Sequence, residues 1–165
     1  MTRSPGRRSW PPAFLVRGLD LLEAAARALQ PLFLLAVRLY WGWQFAQTGW
    51  GKLQNLPKVA AFFASLGIPL PGLNAPFVAA LEWAGGILLA LGLATRPIGL
   101  LLAVNMAVAY ATAHREALGA VLRDPGTFYG AAPFTFLAAS LVALLYGAGP
   151  LSLDALLAWR AVRRR

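Results

Sequence analysis

The stretch APFVAALEWAGGILLALGL, residues 75–93, is apolar throughout except for one carboxylate, Glu82. As an α-helix it would be roughly 29 Å long, enough to cross the hydrocarbon core of a bilayer. A stretch of equal length precedes it: LFLLAVRLYWGWQFAQTGW, residues 32–50, which carries one cation, Arg38. A charged side chain near the bilayer centre costs about 2.5–3.5 kcal/mol even on the mildest insertion scale. Each of these two charges is therefore expected to face other helices rather than lipid. Opposite signs on neighbouring helices predict a buried polar site.

Working outward, residues 97–113 and 127–146 form two further apolar runs. The fold expected from these four runs is all-α, an integral membrane four-helix bundle with spans at about 32–50, 75–93, 97–113 and 127–146, inside a membrane domain of residues 31–150. Pro31 is expected to open the first span. Between the second and third, Gly92 stops one helix, Thr95 caps the next and Pro97 occupies its first turn. Residues 53–74 hold three prolines and two glycines around Phe62, Phe63 and Leu66, which suggests a short surface helix before a turn. His114 to Gly126 reads as a polar loop. Amphipathic interfacial helices are expected at both termini. One covers residues 13–30, within a basic N-terminal extension of residues 1–30. The other covers residues 151–162, within a basic tail of residues 151–165, with Ser152 as its cap. The proline-rich residues 1–12 are expected to lack fixed structure and not to form a signal peptide.

Composition agrees with a membrane protein. The 165 residues are 59% hydrophobic with net charge +9, against roughly 45–50% apolar residues in an ordinary soluble domain. The basic residues cluster at the ends of the chain, where they fit topology and anionic headgroups better than nucleic acid, for which no motif is present. With four spans, both termini and Arg96 share a side bearing ten Lys and Arg, against four on the other (Lys52, Lys58, Arg115 and Arg123). The richer side is expected to be cytoplasmic, which places the protein in the inner (plasma) membrane. There is no Cys and a single His, so thiolate chemistry and a His-rich metal site cannot be built from one subunit. No nucleotide-binding or hydrolytic motif is present.

Small residues at four-residue spacing mark helix contacts in lipid. They run with Arg38 as Gly42 and Ala46, and with Glu82 as Gly86 and Ala90. They recur as Gly99, Ala103, Ala107 and Ala111, and as Ala131, Thr135, Ala139 and Ala143. Both charges thus ride on packing stripes. Glu82 can pair with Arg38 or with Lys52 at the end of the first span. Counted by depth, a gap of about 10 Å separates the Cα levels of Arg38 and Glu82. Asn105, placed at Arg38's depth, can hydrogen-bond across the bundle. Gln44 and Gln47 add amides. Trp41 and Trp83 offer flat faces on which a quinone-like ring could stack, although Trp near span ends more often forms an interface belt. His114, at the outer end of the third span, is a lone titratable group that is more often solvated than catalytic.

The chain resembles the DoxX family of small four-helix membrane proteins. The matching pieces are Arg38-x3-Gly42-x6-Gly49-x2-Lys52, Phe62 to Pro69 (FFASLGIP), Glu82-x2-Gly85-Gly86, Gly92 with Thr95-Arg96, and the ending Gly149-Pro150-Leu151-Ser152-Leu153-Asp154. They span about residues 32–157. The resemblance implies a membrane protein tied to redox metabolism, one branch of the family being linked to thiosulfate oxidation with quinone as acceptor. Carried over, Arg38, Lys52 and Glu82 are the implied site residues. Three functions are open at this point. The first is a quinone-linked redox component of sulfur or thiol metabolism, an oxidoreductase part of thiosulfate:quinone type. It would hold no covalently bound cofactor and would work with a redox-enzyme partner. The second is a non-catalytic scaffold that holds such an enzyme at the bilayer. The third is a small-solute transporter, whose narrow pathway would require a homo-oligomer.

Overall fold

The computed structural model describes residues 13–163. Residues 1–12 and 164–165, including the expected unstructured basic segment and the last two arginines, lie outside the described residues. The described chain is all-helical: α1 (Ala13–Leu53), α2 (Leu56–Ser65), α3 (Pro71–Leu91), α4 (Thr95–Thr112), α5 (Arg115–Gly119), α6 (Pro125–Gly130), α7 (Pro133–Tyr146) and α8 (Leu153–Arg163). One of these helices, Pro71–Leu91, is both long and apolar enough to cross a membrane.

Two expectations about helix ends are corrected. Pro31 does not open a helix. It lies inside the continuous 41-residue α1. Proline removes one backbone hydrogen bond, the one to the Arg27 carbonyl, while the Ala- and Leu-rich turns on either side keep theirs. The run 127–146 is not one helix but two, α6 and α7, separated at Ala131, whose backbone is extended (φ −71°, ψ 138°). Pro133 has no N–H to donate to the Tyr129 carbonyl, so a new helix starts there with proline in its first turn. The expected loop after His114 contains the short α5.

The packing follows the glycines. α1 and α3 run antiparallel with backbones in direct contact. A Cβ on Gly42 would meet Gly86 O and Ala90 N at 2.7 Å, and one on Gly49 would meet Trp83 N at 2.2 Å. α4 and α7 approach in the same way at Gly99, where a Cβ would meet Leu144 N at 2.9 Å. α3 joins α4, and α7 returns to α1, so the four long helices make a closed cycle of contacts. Phe45, Leu89, Leu102, Met106 and Ala143 fill its centre. The small-residue stripe of α4 holds only in part: Gly99 and Ala103 are buried, Ala107 and Ala111 exposed. Four residues turn a helix by about 400°, so a four-residue stripe drifts about 40° per step and leaves the interface within three steps.

The α3–α4 turn is closed from outside. Gly92 takes the left-handed conformation (φ +67°), as the stop expected there requires. Thr95, however, is not the cap. Residue 94 is Ala, and the two leading N–H groups of α4, on Ala94 and Thr95, donate to the Asp154 carboxylate at 2.8 and 3.0 Å. Asp154 lies in the first turn of α8, 60 residues later, so α8 caps α4 in trans. Ser152 Oγ accepts from Ala155 N at 3.1 Å and caps α8 itself. Side chains 14–30 of α1 are all exposed, so this part of the helix runs past the packed cycle.

Candidate functional site

The polar residues of the long helices divide between two ends of the molecule. Arg38 and Glu82 are each 2% exposed, turned inward from their helices. They do not meet. Gly49 packs against Ala79 and Trp83, so Glu82 lies near the level of Gly49, and eleven residues of α1, roughly 16 Å of rise, separate that level from Arg38. Helical side chains lean toward their own N-termini, which in an antiparallel pair carries these two further apart.

At one end, Arg38 reaches under Gly92. Its Nη2 donates to the Leu151 carbonyl at 2.5 Å. A Cβ on Gly92 would lie 1.7 Å from Arg38 Nη1, so only glycine leaves room for the guanidinium. Arg38 Nε and Nη1 and the Thr95 hydroxyl are buried without partners among the described residues. The charge of Arg38 is answered through space by Asp154. Burial by itself pushes the Asp154 carboxyl upward. The N–H groups of Thr95 and Ala94, with the Arg38 charge, outweigh it and hold the group below the usual carboxylate range. This end ties together α1, the α3–α4 turn and α8. A Cβ at Gly92 would meet the Arg38 guanidinium, and Arg38 lines no cavity among the described residues.

At the other end, Glu82 has both oxygens engaged. Oε2 pairs with Lys52 Nζ, and Oε1 accepts from Asn105 Nδ2 at 3.0 Å. The choice left open by the sequence is thereby made for Lys52. Asn105 is at Glu82's depth, not Arg38's. It lies ten residues into α4 from the turn, and Glu82 lies ten residues back along α3 from Gly92. Lys52 is half-exposed at the end of α1, its side chain 32% accessible. An ammonium has three donors and a primary amide two, so Lys52 and Asn105 keep N–H groups free for a ligand after bonding Glu82.

These three residues form one wall of a cavity of about 500 Å³. Its remaining walls are mainly apolar, led by Phe45, Phe62, Phe63 and Phe136. A space of this size, mostly hydrophobic with a few convergent polar groups, has the form of a small-molecule site. α2 supplies Phe62 and Phe63 and covers one side. The sequence placed those two residues on a surface helix without linking them to the site. Adjacent aromatics on an exposed amphipathic segment were the available signal. Phe136 of α7 carried no such signal. His114 and Thr112 stand further along the same cavity.

The other expected site residues lie elsewhere. Trp41 packs edge-on to Phe136, ring centroids 5.0 Å apart, behind the cavity wall. Trp83 is exposed beside Trp50 at 6.1 Å. Gln47 is exposed and Gln44 half-buried, and neither lines the cavity. The spacing of Gln44, Gln47 and Trp83 from Phe45 and Glu82 turns them off the inward face of their helices.

Comparison with known proteins gives two findings. The profile of the DoxX family matches residues 33–115, which include Arg38, Lys52, Glu82, Asn105 and His114. A Bacillus subtilis (strain 168) protein named "Putative oxidoreductase CatD" is 37% identical over 83 residues, covering 50% of this chain and 60% of that protein. The matched region thus covers less than two thirds of that relative's length. No solved structure matches the chain.

Proposed function

The chain belongs to the DoxX family, and we propose that it is a multi-pass membrane protein whose cavity binds a quinone ring as part of a redox system of sulfur or thiol metabolism. The observation that carries this reading is the Lys52–Glu82–Asn105 cluster on the wall of an otherwise mainly apolar cavity of about 500 Å³ that includes four phenylalanines. Apolar walls suit the ring. Free N–H groups on Lys52 and Asn105 suit a carbonyl oxygen, and a carboxylate buried beside them suits the hydroxyl of the reduced form. The oxidoreductase in the relative's name agrees with this chemistry. The chain contains no Cys. No thiol or disulfide of this chain can therefore relay electrons, and the proposed routes are direct passage between a bound reductant and the quinone or passage through a partner subunit. The apolar surface of α1, α3, α4 and α7 lies in the inner membrane as a four-helix bundle. The exposed segment 14–30 and α8 lie at the cytoplasmic side, where the basic residues concentrate.

The test is ligand content. The full chain is purified in detergent, and copurifying quinone is extracted and measured beside the affinity for added ubiquinone-1. The wild type and Arg38→Met, whose altered side chain is remote from the cavity, are expected to retain binding. Glu82→Gln and Lys52→Met are expected to lose most of it. A wild type that neither carries nor binds quinone would overturn the reading. A second reading, a membrane scaffold for a redox enzyme, is favoured by the long exposed part of α1, and a protein partner retained in place of quinone would support it.

A further inference from the structure

We infer that His114 holds the far end of the ligand whose near end lies at Lys52, Glu82 and Asn105, so that the cavity selects rings bearing two oxygens in para relation. The inference rests on the quinone reading and adds to it a second polar anchor and an orientation. Asn105, Ala109 and Thr112 all line the cavity. Their spacing puts them on one face of α4, so the cavity follows that helix for two turns, about 10 Å of rise. His114 follows two residues beyond. Its ring stands 6.2 Å from that of Tyr110, one turn back along α4, and lines the same cavity. Thr112 donates its hydroxyl to the Val108 carbonyl at 2.7 Å, and the Asn74 amide is turned to the Pro69 carbonyl at 2.6 Å. The His114 ring lines the same cavity and makes no side-chain hydrogen bond among the described residues, so it is the donor we assign to the far end.

The lengths agree. A para-quinone has roughly 5 Å between its oxygens, from two C=O bonds of about 1.2 Å and a ring about 3 Å across. A hydrogen bond of about 2.8 Å at each end extends this to about 11 Å between protein partners. His114 lies nine residues beyond Asn105, at most roughly 13 Å of helical rise, so the two side chains need to close only about 2 Å between them to hold a ring of this length. His114 also borders a neighbouring polar cavity of about 580 Å³ lined by Arg115, Glu116 and Thr127. A neutral imidazole has one donor and one acceptor nitrogen. His114 can thus face the ring on one side and the polar cavity on the other.

The test removes one oxygen from the ligand and one anchor from the protein. Binding of 1,4-naphthoquinone and of 1-tetralone, which lacks the second carbonyl, is measured by calorimetry on the purified full chain. The wild type is expected to prefer the quinone about tenfold, the worth of one hydrogen bond. His114→Phe is expected to abolish the preference while still binding both compounds, and His114→Asn, which retains a donor, to restore part of it. A preference that survives in His114→Phe, or is absent from the wild type, overturns this inference and leaves the quinone reading standing. Failure of the wild type to bind either compound overturns both.

Discussion

Glu82 and Lys52 form a pair whose members are not equivalent. Glu82 is almost completely buried, while Lys52 stands at the end of α1 with part of its side chain in the open. Removing the lysine strands a charge that has nowhere to go; removing the carboxylate frees a lysine that can swing outward. Lys52→Met is therefore expected to cost about 3–5 kcal/mol, the typical cost of breaking a buried pair from one side. Glu82→Gln, which keeps an acceptor for Asn105, is expected to cost clearly less. Melting temperatures of the two variants in one detergent check this, and equal losses would refute the asymmetry. The sequence made Glu82 legible as an inward-facing charge because a carboxylate in an apolar run has few alternatives. Its partner was not legible, because two cations on α1 satisfied the same argument.

At the scale of elements, the α1–α3 contact depends on three absent side chains. A Cβ at Gly49 or Gly86 would fall 2.2 or 2.5 Å from the facing backbone, which cannot move aside as a side-chain tip can. Gly49→Ala and Gly86→Ala are each expected to destabilise by about 1–3 kcal/mol through overpacking. Gly51→Ala, with nothing within 4 Å, is the control and should be neutral or slightly stabilising. The trans cap of α4 gives a pH signature. The Asp154 carboxyl titrates below its ordinary value, so its contribution is complete above the unfolded pKa of about 3.9 and is lost as pH falls through the folded value. The wild type should lose stability below about pH 4 more steeply than Asp154→Ala. At neutral pH the variant should be less stable by about 1 kcal/mol, the usual worth of a cap. Melting curves from pH 7 to pH 3 test both statements. The capping role was hidden in the sequence because Thr95 stands where a local cap would be, and an acceptor 60 residues away leaves no pattern near the helix it serves.

For the whole molecule, the arrangement predicts opposite exposure of its two ends. The chain has no native Cys, so single-cysteine variants carry no background. In intact spheroplasts a membrane-impermeant maleimide should label Asn55→Cys, beside the cavity end, and leave Trp159→Cys on α8 unlabelled until lysis. Labelling of both in intact cells would refute the proposed topology. Deep charges were placed by counting residues from expected span ends, and two of those ends were wrong. α1 continues through Pro31, and the 127–146 run breaks at Ala131. Only the first bears on Arg38, which sits at the level of the Gly92 turn rather than a turn or two below it, so Asn105, ten residues into α4, was matched to the wrong charge.

Local chemistry written in the chain determined its helical character, the Gly92 stop, the glycines of the tight contacts and the inward orientation of Arg38 and Glu82. Each follows from a backbone or solvation requirement met within a few residues. Only the tertiary structure decided which charges meet, where the cavity lies and what caps α4. Those outcomes depend on the axial register of antiparallel helices. A shift of one turn, about 5 Å, exchanges one set of neighbours for another without changing any local preference.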